Sequence, residues 1–161
     1  MARSSEKVEK VRDFLKSKGF NARQVSVRQD PCTYSVAVTA TIRDLAVPYA
    51  VVKEALDLVH STRTCEVSGE PLLGGNTYTE IRYADGLLSP LIKAREAELA
   101  DLKVGEWKVI EDGKIQIDRE TDTTYHLWAI QPNGCGHHVG RAWGLNSTAE
   151  AVVNYCLKGK P

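Results

Sequence analysis

The chain has 161 residues, room for one compact domain or two small ones, and its 42% apolar and 26% charged content argues against a disordered polymer. Twenty-one Lys/Arg balance twenty-one Asp/Glu, so net charge selects no class of partner. No apolar run approaches the roughly 20 residues of a membrane span, and the start Met-Ala-Arg-Ser-Ser-Glu lacks the apolar core of a secretory signal; a cytoplasmic protein with no membrane partner is expected.

Ser4 or Ser5 is placed to cap a first helix whose apolar stripe is Val8, Val11 and Leu15, with Gly19 as its stop. Residues 25–30 then read as a strand, turned by Asp30-Pro31. Tyr34, Val36, Val38, Ala40 and Ile42 alternate with Ser35, Ala37, Thr39, Thr41 and Arg43, the period-two pattern of a strand with one buried and one wet face. Pro48 suits the first turn of a second helix, with Val51, Val52, Ala55, Leu56 and Val59 as its apolar side and its end near His60. Strands over 62–67 and 77–83 follow, separated by the turn-rich segment 68–76. The first half thus predicts α-β-β-α-β-β, both helices on one face of an antiparallel sheet.

After the break at Ala84-Asp85-Gly86, residues 87–103 predict an exposed connecting helix, with Leu91, Ala94, Leu99 and Leu102 near one side. Strands follow at 107–110, 114–118 and 125–130, with Asp112-Gly113 as a hairpin turn. A fourth strand over about 137–143 is left open, and Ser147-Thr148-Ala149-Glu150 has the Ser-x-x-Glu pattern of a capping box opening a last helix. The fold class expected is α+β in two small halves, α-β-β-α-β-β and α-β-β-β-(β)-α, with mainly antiparallel sheets. The boundaries are a domain at 1–84, a connecting helix at 85–104 and a second domain at 105–161.

Cys32, Cys65, Cys135 and Cys156 lie far apart with no C-x-x-C pair, and read as reduced thiols. Cys135-Gly136-His137-His138 is the one run resembling a metal site. Adjacent histidines on a strand point to opposite faces, and a hairpin sets His126 opposite residues near Arg141, about 13 Å from His137. No metal and no cofactor is therefore expected. Cys135 beside His137 is the only dyad suggestive of nucleophilic catalysis, and no third orienting residue accompanies it. Gly74-Gly75 lacks the Lys-Ser/Thr ending of a phosphate loop.

Binding surfaces are better candidates. The wet face of the first sheet is expected to carry Arg28, Arg43, Tyr78 and Arg82 beside Ser26, Thr39, Thr41 and Glu80, able to hold phosphates and stack a base or equally to receive an acidic protein patch. A second cluster is His137, His138, Arg141 and Trp143, while Trp128, in the apolar run 125–130, is expected in the core. A third is the basic first helix and its end, with Lys7, Lys10, Lys16, Lys18 and Arg23. Residues 111–122 lean acidic.

Val11-Arg12-Asp13-Phe14-Leu15, Val25-Ser26-Val27-Arg28, the alternating segment 34–42 and the Pro-started helix 48–59 together resemble a known family. It is the large polyvalent protein-associated domains of phage and plasmid accessory proteins, and the resemblance reaches Tyr83, about half the chain. Leu45-Ala46-Val47 replaces the family's glycine-containing turn, and the loop 68–76 is enlarged. The resemblance implies a mobile-element protein that meets host machinery, with no assigned catalytic residues. By analogy, it would oppose host defence as an anti-CRISPR-like inhibitor, non-catalytic, binding a host protein or protein–nucleic acid complex. The alternative is direct DNA or RNA binding; a second is a small enzyme using Cys135 and His137. Oligomeric state stays open.

Overall fold

In the computed structural model, which describes residues 5–32, 35–72 and 74–159, the chain divides into two units, Met1–Leu87 and Leu88–Pro161. Ser4 as a cap and Tyr34 at the head of the alternating strand lie outside the described residues.

The first unit opens with α1 (Glu6–Ser17), where Ser5 Oγ accepts from Val8 N–H at 3.4 Å, so one N–H group of the first turn gains a partner. Gly19, at φ 87°, closes the helix and lets Phe20 N–H reach the Leu15 carbonyl at 3.0 Å. β1 (Val25–Cys32) and β2 (Ser35–Ile42) pair antiparallel; α2 (Tyr49–Asp57) follows, then β3 (Thr77–Tyr83). The sheet order is β1-β2-β3, and β3 runs parallel to β2. The wholly antiparallel arrangement expected for this half is therefore corrected at one pairing. Parallel neighbours need a long crossover, and α2 with the loop after it supplies one.

The strand expected over 62–67 does not form. Two isolated bridges, Ser61 to Thr77 and Thr64 to Pro71, tie this loop instead. Buried Asn76 staples it, its Nδ2 donating to the Leu72 carbonyl (2.8 Å) and its Oδ1 accepting from Arg63 N–H (2.7 Å). Val8, Val11 and Leu15 of α1 and Val52 and Leu56 of α2 pack with Val27, Val38, Ala40 and Ile42 in one core. Both helices thus cover one face of the sheet, and burying that side of β2 leaves Ala37, Thr39 and Thr41 on the other.

The second unit contains α3 (Ser89–Leu99), β4 (Trp107–Ile110), β5 (Ile115–Arg119), β6 (Thr124–Ile130), β7 (Gly136–Trp143) and α4 (Leu145–Lys158). Its four strands pair antiparallel in chain order. Asp112 and Gly113, at φ 52° and 85°, form the left-handed centre of the β4–β5 turn, closed by Lys114 N–H to the Glu111 carbonyl at 3.1 Å. Leu99 and Leu102 join Ile110, Ile115, Ile117, Leu127 and Val152 in the core. The segment expected as an exposed connector is therefore a packed element of this unit.

α4 begins at Leu145, two residues before the expected capping box. Thr148 is buried, its hydroxyl donating to the Gly144 carbonyl at 2.8 Å, so the Ser147–Glu150 run lies inside the helix. Among the described residues, no helix is long and apolar enough to cross a membrane.

Candidate binding faces

In the first unit, strand register brings the expected residues to one face. Ser26, Thr41 and Arg82 stand in one row, Arg28, Thr39 and Glu80 in the next, Asp30, Ala37 and Tyr78 in the third. Arg43 extends past the end of β2. A trough of about 310 Å³ is lined by Ser26, Arg28, Thr41, Arg43, Arg82 and Asp85, among others. Arg82 Nη2 donates to Glu80 Oε2 at 2.7 Å, which raises the guanidinium pKa and lowers that of the carboxyl. Arg28 and Arg43 have no ion pair among the described residues. Tyr78 is 44% exposed, and its hydroxyl accepts from Asn76 Nδ2 at 3.1 Å. It stands four residues from Arg82, about 13 Å along the strand.

The basic helix does not present one surface. Lys7 Nζ bonds Thr77 Oγ1, Lys10 Nζ donates to the Leu58 carbonyl at 3.3 Å, and Lys18 reaches Glu54 at 4.0 Å while lying over the Phe14 ring. Three of the five cations thus make contacts within the unit, though Lys10 and Lys18 stay exposed together with Lys16 and Arg23.

In the second unit, the helices cover the face bearing Ile115, Ile117 and Leu127. The opposite face forms rows across the strands. Trp107, Asp118, His126 and Arg141 make one row; Val109, Gln116, Trp128 and His138 make the next; Thr124 and Trp143 make a third. Trp107 is 63% and Trp143 67% exposed. Trp128 also lies on this face, half-buried, and so corrects its assignment to the core. Its Nε1 is buried without a hydrogen-bond partner among the described residues.

A register shift between Leu127 and Trp128 pairs Leu127 with Gly140 and Trp128 with His138, so Val139 is the extra residue of a β-bulge. Without it, Val139 would face Trp128 and His138 would point to the helices. With it, His138 stacks edge-on against Trp128 (centroids 4.8 Å apart), and its Nε2 comes within 3.1 Å of His126 Nδ1. The sequence expectation of His126 opposite Arg141 matches the register.

His126 Nε2 lies 3.1 Å from Glu120 Oε2, and Arg141 Nη2 is 3.5 Å from the same oxygen. The His126 hydrogen bond, then the Arg141 charge, hold the Glu120 carboxyl below the usual carboxylate range. A carboxylate only accepts, so a neutral His126 keeps its proton on Nε2 and accepts at Nδ1 from His138 Nε2–H. The result is a fixed chain, Glu120–His126–His138, lying between the tryptophans. A groove of about 350 Å³ runs beside it, lined by Trp107, Asp118, His126 and Trp128.

His137 falls on the other side of β7, in register with Ala129, and separates from His138, Arg141 and Trp143. Cys135 sits in the β6–β7 turn, its N–H donating to Asn133 Oδ1 at 3.0 Å, and no hydrogen bond joins it to His137 among the described residues. Among the described residues no three His, Cys, Asp or Glu side chains converge as a metal ion requires. Trp107, Asp118 and Glu120 are members of the face that the sequence does not single out, and His126, weighed there only as a metal ligand, joins them. Their common phase follows once β4–β6 are paired, and Gly140 inside a strand is the signal for the bulge. Compared with known proteins, the chain matches no family model, no curated protein and no solved structure.

Proposed function

We propose that this protein works by stoichiometric binding, without catalysis, and that the tryptophan face of the second unit docks onto a protein partner. The observation that carries the reading is the pair Trp107 and Trp143, each nearly two-thirds exposed on one sheet face. Exposed tryptophan is costly in water and is the residue type most enriched among interface hot spots. The polar groups between them favour a protein over a polyanion. Asp118 and Glu120 offset Arg141, so the face offers no excess positive charge to phosphates. The hydrogen-bonded Glu120–His126–His138 chain supplies fixed polar groups that a partner can match without ordering loose side chains.

The biological setting belongs to the same proposal. The resemblance of the first half to phage and plasmid accessory domains favours a mobile-element protein that inhibits a host defence complex. The test is affinity capture from host lysate with wild-type protein and the Trp107→Ala/Trp143→Ala variant as baits, quantified by mass spectrometry. A component held by wild type and lost by the folded variant is expected, followed by stoichiometric binding of the purified component in calorimetry. Identical capture by both baits would contradict the reading.

A further inference from the structure

We propose that the arginine trough of the first unit binds the phosphodiester backbone of a single-stranded nucleic acid. Arg28 of β1, Arg82 of β3 and Arg43 just past the end of β2 surround Thr41, with the Ser26 hydroxyl beside it. Strand spacing puts the Arg82 Cα about 8 Å from that of Arg43 and about 12 Å from that of Arg28, within reach of converging guanidinium groups. Glu80 engages Arg82, whereas Arg28 and Arg43 make no ion pair among the described residues. Asp30 and Asp85 share this face, but neither pairs directly with Arg28 or Arg43, so both guanidinium groups keep their donors open to an anion from outside. The planar fork of arginine matches phosphate oxygens in particular.

Shape distinguishes an extended ligand from a small one. Small-molecule sites bury most of their ligand in a concavity. This trough is open, and the face continues past Thr39 and the small side chain of Ala37 to the exposed ring of Tyr78. A chain of phosphates on the arginines can therefore place a base on Tyr78, about 13 Å away. Asn76 fixes that ring through its hydroxyl, which lowers the cost of ordering it. The acids Asp30, Glu80 and Asp85 keep the face from being a general polyanion sink, so binding is expected to be modest and sensitive to salt.

The test is fluorescence anisotropy with a labelled single-stranded oligonucleotide of about 12 nucleotides, over about 50 to 200 mM salt. Arg28→Ala/Arg43→Ala, at two exposed positions, should keep the wild-type melting curve. It should weaken binding about tenfold or more and reduce the log–log salt slope by about 1.4, since each single-strand phosphate contact contributes about 0.7. Tyr78→Leu should weaken binding at least about fivefold through lost stacking. Lys16→Ala/Lys53→Ala, the same loss of charge at exposed positions of the two helices on the other side of the sheet, should bind as wild type, as should Trp143→Ala. That last control keeps this outcome separate from the fate of the tryptophan face. Absence of oligonucleotide binding, an unchanged affinity and slope in the arginine variant, or loss of binding in Trp143→Ala would each overturn the proposal. So would equal affinity for pyrophosphate, which would mark a small phosphate compound, or for a poly-glutamate peptide, which would mark an acidic protein segment.

Discussion

Trp143→Ala separates a docking residue from a structural one. The indole is 67% exposed at the end of β7, in the row with Thr124. A tryptophan offers up to about 250 Å² for burial, so about 170 Å² remains for a partner to cover. At about 25 cal/mol per Å² that is about 4 kcal/mol gross, of which ordering and desolvation leave about 2–3 kcal/mol. The dissociation constant should therefore rise about 30- to 150-fold. Folding buries only the remaining third, about 80 Å², so the stability loss should stay below about 2 kcal/mol. Calorimetry against the purified partner reads the first quantity and urea unfolding the second. A rise in dissociation constant under about threefold, in a protein whose fold is intact, would refute the argument that this exposed area is held for binding.

Ile117→Ala tests the second core: the side chain is 0% exposed in the inner strand β5, and its truncation should cost about 2–5 kcal/mol in urea unfolding. A cost under about 1 kcal/mol would mean the sheet is not packed as described. Cys65 has its pKa lowered to about 7, first by the Ser68 hydroxyl, then by the Ser68 and Val67 backbone N–H groups. Its alkylation rate should rise through about pH 7, and Ser68→Ala should move that midpoint upward; an unmoved midpoint would contradict the assigned cause. Glu120 has a depressed folded pKa, so its contacts with His126 and Arg141 contribute at pH above its unfolded value and are lost as pH falls through the folded one. In a carboxyl-carbon NMR titration, His126→Ala should raise the Glu120 midpoint more than Arg141→Ala, since the hydrogen bond is the larger cause.

Much of the fold was legible because local pattern and tertiary packing agree. The alternation from Val36 to Ile42 is the buried side of β2, and Asp112-Gly113 is the left-handed turn its sequence announces. The direction of β3 was not legible. Period two looks the same in parallel and antiparallel strands, and only the crossover through α2 distinguishes them. The capping-box pattern at Ser147 yielded to Gly144, whose positive φ starts α4 earlier and buries Thr148. On the candidate faces, Arg28, Arg43, Tyr78 and Arg82 follow from phase alone, so they were placed together from sequence. His138 is grouped with Arg141 and Trp143 from sequence, but its contact with Trp128 is not legible there. A single extra residue at Val139 inverts the phase of β7, and an apolar run such as Tyr125–Ile130 does not reveal which of its alternate members faces solvent.

The most direct test is the indole N–H region of a ¹H–¹⁵N spectrum, in which the chain's three tryptophans give three separate signals. On titration with the purified partner, the Trp107 and Trp143 signals should shift or broaden together in proportion to complex formed. If the partner binds and both signals stay where they were, the tryptophan face is not the working surface.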